Sequence, residues 1–212
     1  MRSDERKIWE RQQRKERIID CAEEIFFSKG FGPSTMDEIA HAAGYKKRTL
    51  YLYFTDKDEI LLAVVLRGLN LLNKGLEAAS SSLHAMAGAY FGFFMENPGY
   101  FDLILLYESK TCIYYGTPGS SEDGSFRGQC QRATDRTAEI VSTSIEKGLA
   151  EGSIISTLKP RQLMLVLWGQ ISGIMQVILM RKDHFEDAFG ISYKELFDIF
   201  LRGVEKTLTM ED

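Results

Sequence analysis

Apolar and polar positions repeat with a helical period along almost the whole chain. Ile18, Cys21, Ala22, Ile25 and Phe26 fall three and four apart. They predict a helix from about Glu10 that stops at the turn residues Lys29-Gly30-Phe31-Gly32-Pro33. Met36, Ile39 and Ala40 give a short second stripe, and Leu50 and Phe54, four apart, a third over about Lys46 to Phe54. A longer helix is predicted from about Asp56 to near Ser80, apolar from Ile60 to Leu72. Beyond it the pattern predicts helices over 82–96, 100–115, 126–150, 160–181 and 192–209. Asn97-Pro98-Gly99, the loop 116–124, Gly152 and the segment 182–191 separate them. No stretch alternates with period two, and only four Pro occur, so the fold class is all-α.

Local signals sharpen the first quarter. Thr35 with Glu38 three residues on is a capping box, which starts the second helix. Gly44 can take the positive φ of a tight helix-to-helix turn. Thr55, with Asp58 in the place of the box acid, is expected to cap the long helix. Two short helices around such a turn form a helix-turn-helix. Its second helix buries Leu50 and Phe54 and presents Lys47, Arg48 and Tyr51 on the opposite face, where a recognition helix meets base edges. The expected organisation is a three-helix head over 1–57, whose residues 1–9 form a disordered basic start, and a larger body over 58–212. The long helix connects them.

The residues Ile39-Ala40-His41-Ala42-Ala43-Gly44, Thr49-Leu50-Tyr51-Leu52-Tyr53-Phe54 and Lys57-Asp58-Glu59-Ile60-Leu61 closely resemble the tetracycline-repressor (TetR) family of bacterial regulators. The resemblance covers about the first quarter of the chain. It implies a homodimeric, ligand-responsive DNA-binding regulator, most often a repressor, reading a palindromic site. Lys47 and Arg48 are then the expected base contacts, Arg favouring guanine. Thr35, Lys46, Thr49, Tyr51, Tyr53 and Lys57 are the expected phosphate contacts, by position in the motif and by donor chemistry. Two departures stand out: Lys46 replaces the family's usual small hydroxyl residue, and Arg48 a frequent Gly. Cations at a helix start oppose the macrodipole, so nearby phosphates rather than helix stability account for them.

Charge fits this once its distribution is read. Net charge is −4, but residues 1–57 carry 12 Lys/Arg against 10 Asp/Glu, and the rest 14 against 20. The acidic body need not touch DNA. Cys21, Cys112 and Cys130 form no C-x-x-C, so neither a zinc site nor a redox pair is signalled, and a reducing cytoplasm fits. Residues 163–180 approach the length of a membrane span, but Gln170, Ser172 and Gln176 interrupt them, and a buried helix is expected.

The helix over 160–181 is apolar nearly all round, and Gly169 and Gly173 permit close approach. With Trp168 and the stripe Leu196, Phe197, Phe200 and Val204, it predicts a four-helix dimer interface. Tyr90, Phe91, Phe94, Phe101, Tyr107, Tyr114, Trp168 and Met175 are candidates for an apolar effector pocket, although each alone also suits an ordinary core. No catalytic motif, metal spacing or phosphate loop occurs, so no enzyme activity, metal or cofactor is expected. Expected partners are double-stranded DNA, a small effector and a second copy of the chain, with no membrane. The alternative is a helical protein-interaction module that keeps the head without specific DNA binding.

Overall fold

The computed structural model describes residues 3–113, 124–181 and 184–209. Among these every regular element is an α-helix: α1 (Ser3–Lys29), α2 (Met36–Ala43), α3 (Lys47–Leu50), α4 (Lys57–Ala78), α5 (Leu83–Glu96), α6 (Pro98–Ile113), α7 (Phe126–Glu151), α8 (Pro160–Met180), α9 (Phe185–Phe189) and α10 (Tyr193–Thr209). Three expectations need correction. α1 begins at Ser3, so residues 3–9 are helical; Asp4 and Glu5 suit its first turn and Arg6 pairs with Glu10 at 3.2 Å. α6 begins at Pro98, because the ring fixes φ for a first turn whose N–H is unneeded. The cap before α4 is Asp56, whose Oδ1 accepts from Glu59 N at 2.8 Å, while Glu59 reaches back to Thr55 N at 2.6 Å.

Packing groups the chain into two compact units, Met1–Asn70 with Asn97–Ala133, and Leu71–Glu96 with Thr134–Asp212. In the first, α1, α2 and α3 enclose Ile18, Ala22, Phe26, Ile39, Leu50 and Phe54, all nearly inaccessible to solvent. The start of α4, α6 and the first turns of α7 belong to the same unit. Arg67 of α4 holds three acids of α1: Glu16 at 3.1 Å, Asp20 at 2.8 Å and Glu23 at 3.1 Å. Burial works against its charge, but Asp20 and Glu23 outweigh it and raise its pKa. Tyr100 of α6 donates its hydroxyl to Glu23 at 2.6 Å and meets Phe27 edge-to-face at 4.9 Å. Phe126 of α7 stacks on Phe54 at 6.0 Å, and the Cys130 thiol donates to Leu62 O at 3.2 Å.

In the second unit one core gathers Ile178, Phe185, Phe197 and Leu201, with Phe91 stacked on Phe197 at 4.0 Å. Another gathers Ile145, Ile154 and Leu163. Ser192 and Glu195 form a reciprocal box at the start of α10 (2.8 and 3.2 Å). Phe197 is therefore committed to the core of its own chain, which corrects its assignment to a dimer interface.

Candidate nucleic-acid interface

The helix-turn-helix is built by local rules that the sequence states. Thr35 Oγ1 accepts from Glu38 N at 3.2 Å, and Glu38 Oε2 accepts from Thr35 N at 2.9 Å. The Lys29 ammonium bonds the other Glu38 oxygen and, with Thr35, holds this carboxyl below its ordinary range. Gly44 stands at φ 78° and ψ 26°; its N–H bonds His41 O at 3.0 Å and Tyr45 N bonds Ala40 O at 2.8 Å. This paired closure needs a left-handed residue. Arg17 Nε of α1 then donates to Ala43 O at 2.9 Å, tying the turn to the first helix.

The recognition segment departs from a regular helix. Only Lys47–Leu50 is α-helical. Bonds from Leu52 to Thr49 (3.2 Å), Tyr53 to Leu50 (2.8 Å) and Phe54 to Leu50 (2.9 Å) then tighten the chain into a turn. Lys46 stands at the N-cap with no side-chain cap bond, as the loss of a hydroxyl residue there requires. Leu50 and Phe54 anchor the segment, at 0% and 1% exposure. Opposite them Lys46, Lys47, Arg48, Tyr51 and Leu52 are exposed, and Thr49 and Tyr53 half-buried.

The expected contact residues divide by what already engages them. Arg48 and Lys46 are exposed cations with no ion pair to another described residue. Lys47 pairs with Asp37 of α2 at 2.6 Å, and this bond raises its pKa. Lys57 is claimed by the fold. Its ammonium donates to Phe31 O (2.8 Å), Gly32 O (3.2 Å) and Ser34 O (2.7 Å), and lies 4.2 Å from the Phe31 ring centroid. An ammonium has three donors, so a phosphate would have to displace a carbonyl. Arg11 belongs to the charged start of the sequence, but its tie to the recognition segment is new: its guanidinium reaches Leu52 O at 3.4 Å and lies 5.6 Å over the Tyr53 ring. No motif spacing signals that contact, which joins residues 41 apart.

The remaining candidate sites separate likewise. Of the aromatic set, Phe101 and Tyr107 belong to the first unit, and Tyr90, Phe91, Phe94, Trp168 and Met175 to the second; Tyr114 lies outside the described residues. Met175 is fully buried, and Tyr90 Oη meets Ser172 Oγ at 3.2 Å. A cavity of about 380 Å³ in the second unit is lined by Ser82, His84, Ser144, Lys147, Ile154 and Glu205 among others, and by none of the aromatic set. Among the described residues no cluster of His, Cys, Asp or Glu has the arrangement of a metal site. Among the described residues only α8 has the length and apolarity to cross a membrane, and an outer face of it is open: Leu165 is 61%, Val177 46% and Met180 74% exposed. Gly169 and Gly173 share that face, with nothing within 4 Å of where a Cβ would stand. Trp168, Leu196, Phe200 and Val204 keep partial exposure, unlike Phe197.

Residues 18–64 match the model of the bacterial regulatory proteins of the tetR family. The chain is 26% identical over 181 residues to the transcriptional regulator SrpR of Pseudomonas putida, covering 82% of this chain and 79% of that one. It is 28% identical over 134 residues to EthR of Mycobacterium tuberculosis, covering 63% and 55%. A solved structure of Bacillus subtilis FadR, in complex with stearoyl-CoA, shares the fold with a TM-score of 0.64 at 18% identity, covering 88% of this chain and 95% of that one.

Proposed function

Because this chain belongs to the tetR family of bacterial regulatory proteins and is a DNA-binding transcriptional regulator, we propose that it is a cytoplasmic homodimeric repressor released from a palindromic operator by a small apolar effector. The observation that carries the DNA-reading part is the recognition segment itself. Leu50 and Phe54 lock it into the head while Lys46, Lys47, Arg48 and Tyr51 project from the opposite side. Arg48 and Lys47 read base edges. Lys46, Thr35, Thr49, Tyr51 and Tyr53 hold phosphates. Lys57 fixes the turn between α1 and α2 in place of a phosphate contact.

Functionally the head over 1–57 reads DNA and the body over 58–212 binds effector and partner. The dimer forms through the open face of α8 with α10, because an apolar face this long on a lone chain invites a second copy. The effector has a large apolar part, a reading supported by the apolar and aromatic residues of the body and by the long acyl chain of the stearoyl-CoA bound to FadR, a protein of the same fold. It must bind the released state more tightly than the DNA-bound one, or it shifts nothing.

Unbiased selection of duplex DNA by the purified protein tests this reading. The expected result is an enriched palindrome bound by an even number of chains. Arg48→Ala should relax the preference at one base pair per half-site, a cost of about 1–3 kcal/mol in discrimination. An unchanged preference in Arg48→Ala removes its base-reading role, and no enrichment from effector-stripped protein removes the operator.

A further inference from the structure

α1 begins at Ser3, so its first fifteen residues precede the segment that matches the family. The geometry points to this leading part of α1 as a second DNA-contacting element, which lays Lys7, Arg11 and Arg14 along the phosphate backbone flanking each half-site. The inference rests on the DNA-reading function proposed above.

The argument is one of register. Residues i, i+4 and i+7 share a helix face. Downstream, the stripe that contains Ile18, Ala22 and Ile25 packs inside the head, with Ile18 and Ala22 fully buried. Followed upstream, the same stripe reads Arg14, Arg11 and Lys7, all exposed. Cations therefore take over beyond the buried part of the head, and only Arg11 among them touches it.

The opposite side of the helix carries Glu5, Glu16, Asp20 and Glu23, and the last three are held by Arg67. Glu10 is paired with Arg6 at 3.2 Å, which leaves Asp4 as the acid beside the stripe. Charge is thus sorted by face in a segment that is nearly balanced in total.

The stripe also lies on the side of the recognition segment. Arg11 bonds Leu52 O and covers the Tyr53 ring, so the rod is fastened where the reading segment ends. Fifteen residues of helix span about 22 Å, roughly two-thirds of a turn of duplex. Three cations spaced along that length complement a row of phosphates and carry no base preference.

Lys7→Gln/Arg14→Gln is the test, since both side chains are exposed and neither makes a described contact that holds the fold. Arg6→Gln is the control, because Arg6 lies off the stripe. Binding of the selected operator is measured across a salt series. Four cations lost per dimer should lower the slope of log K against log[salt] by about 3.6. Between 50 and 200 mM salt the wild type should therefore lose about 100-fold more affinity than the double variant. Base preference should stay the same, and the protected region should shorten at both flanks.

An unchanged slope and footprint overturns the inference while leaving the reading function intact. An equal loss per cation in Arg6→Gln, half that of the double variant, also overturns it, since net charge rather than the stripe would then be acting. Binding to phosphatidylglycerol vesicles that the double variant loses, with an unchanged DNA slope, assigns the stripe to a membrane and overturns it as well. If the wild type itself selects no operator, both this inference and the function beneath it fall.

Discussion

Gly68→Ala should change sign with its neighbour. Gly68 lies inside α4, where alanine normally stabilises a helix by about 1 kcal/mol over glycine. Here a Cβ would stand 2.5 Å from Cδ1 of Tyr100 and 3.0 Å from Cε1 and Cγ. Carbon atoms pack at about 3.5–4.0 Å, so the ring would have to retreat by about 1 Å. It cannot do so freely. Tyr100 is 3% exposed, Phe27 meets it edge-to-face at 4.9 Å, and its hydroxyl is tethered to Glu23 at 2.6 Å. Overpacking of this kind costs about 1–3 kcal/mol. The net expectation for Gly68→Ala is a loss of roughly 0–2 kcal/mol. In a Tyr100→Ala background the obstacle is gone, and the same substitution should gain about 1 kcal/mol. Urea unfolding of the four proteins at one fixed chain concentration closes the cycle, with a coupling of about 1–3 kcal/mol expected. If Gly68→Ala raises the midpoint equally in both backgrounds, the close approach of α4 and α6 is not a constraint and the reasoning fails.

Three further outcomes follow from particular contacts. Lys57→Met should cost about 2 kcal/mol of stability, the scale of charged hydrogen bonds, yet leave the salt slope of DNA binding unchanged; a shallower slope would restore it as a phosphate contact. The Glu38 carboxyl is held below its ordinary value of 4.5 by Lys29 and Thr35, so its stabilisation is complete above that pH and is lost as pH falls through the lowered folded value. Glu38→Gln should therefore flatten the acid limb of a urea-midpoint titration, and an unaltered limb would contradict the assignment. The Cys130 thiol is pushed up to about 12, chiefly by burial, so only on the order of 1 in 100,000 is ionised near neutral pH. Peptide mapping after iodoacetamide should find it unmodified in the folded protein and modified in denaturant.

Much of the head was legible because its rules are local. The box of Thr35 and Glu38, the left-handed Gly44 and the anchors Leu50 and Phe54 each depend on residues within four positions of one another. Helix existence in the body was legible too, since period alone predicts it. What escaped the sequence are choices made across the chain. Lys57 could have faced DNA; three carbonyls some 25 residues away hold it inward. Lys47 meets Asp37, and Phe54 meets Phe126, through packing that no spacing encodes. The apolar run of α8 does not say which of its sides is covered: Met175 and Ile178 are buried, whereas Leu165 and Met180 are exposed. The early start of α1 was missed because high charge reads as disorder, whereas here acids lead and the pair Arg6–Glu10 follows at i, i+4.

The stacking of Phe126 on Phe54 has a practical meaning for anyone who would recombine such regulators. A chimera cut after residue 57 would carry the reading motif but leave behind the ring that covers its anchor, the Lys110 ammonium 4.6 Å from the Phe31 ring centroid, and Tyr100 with its grip on Glu23. The portable module is instead discontinuous in sequence, and a working graft has to splice at three points, near residues 70, 97 and 133. Swapping specificities between bodies is then better done by transplanting the exposed side chains of residues 46–52 than by exchanging heads.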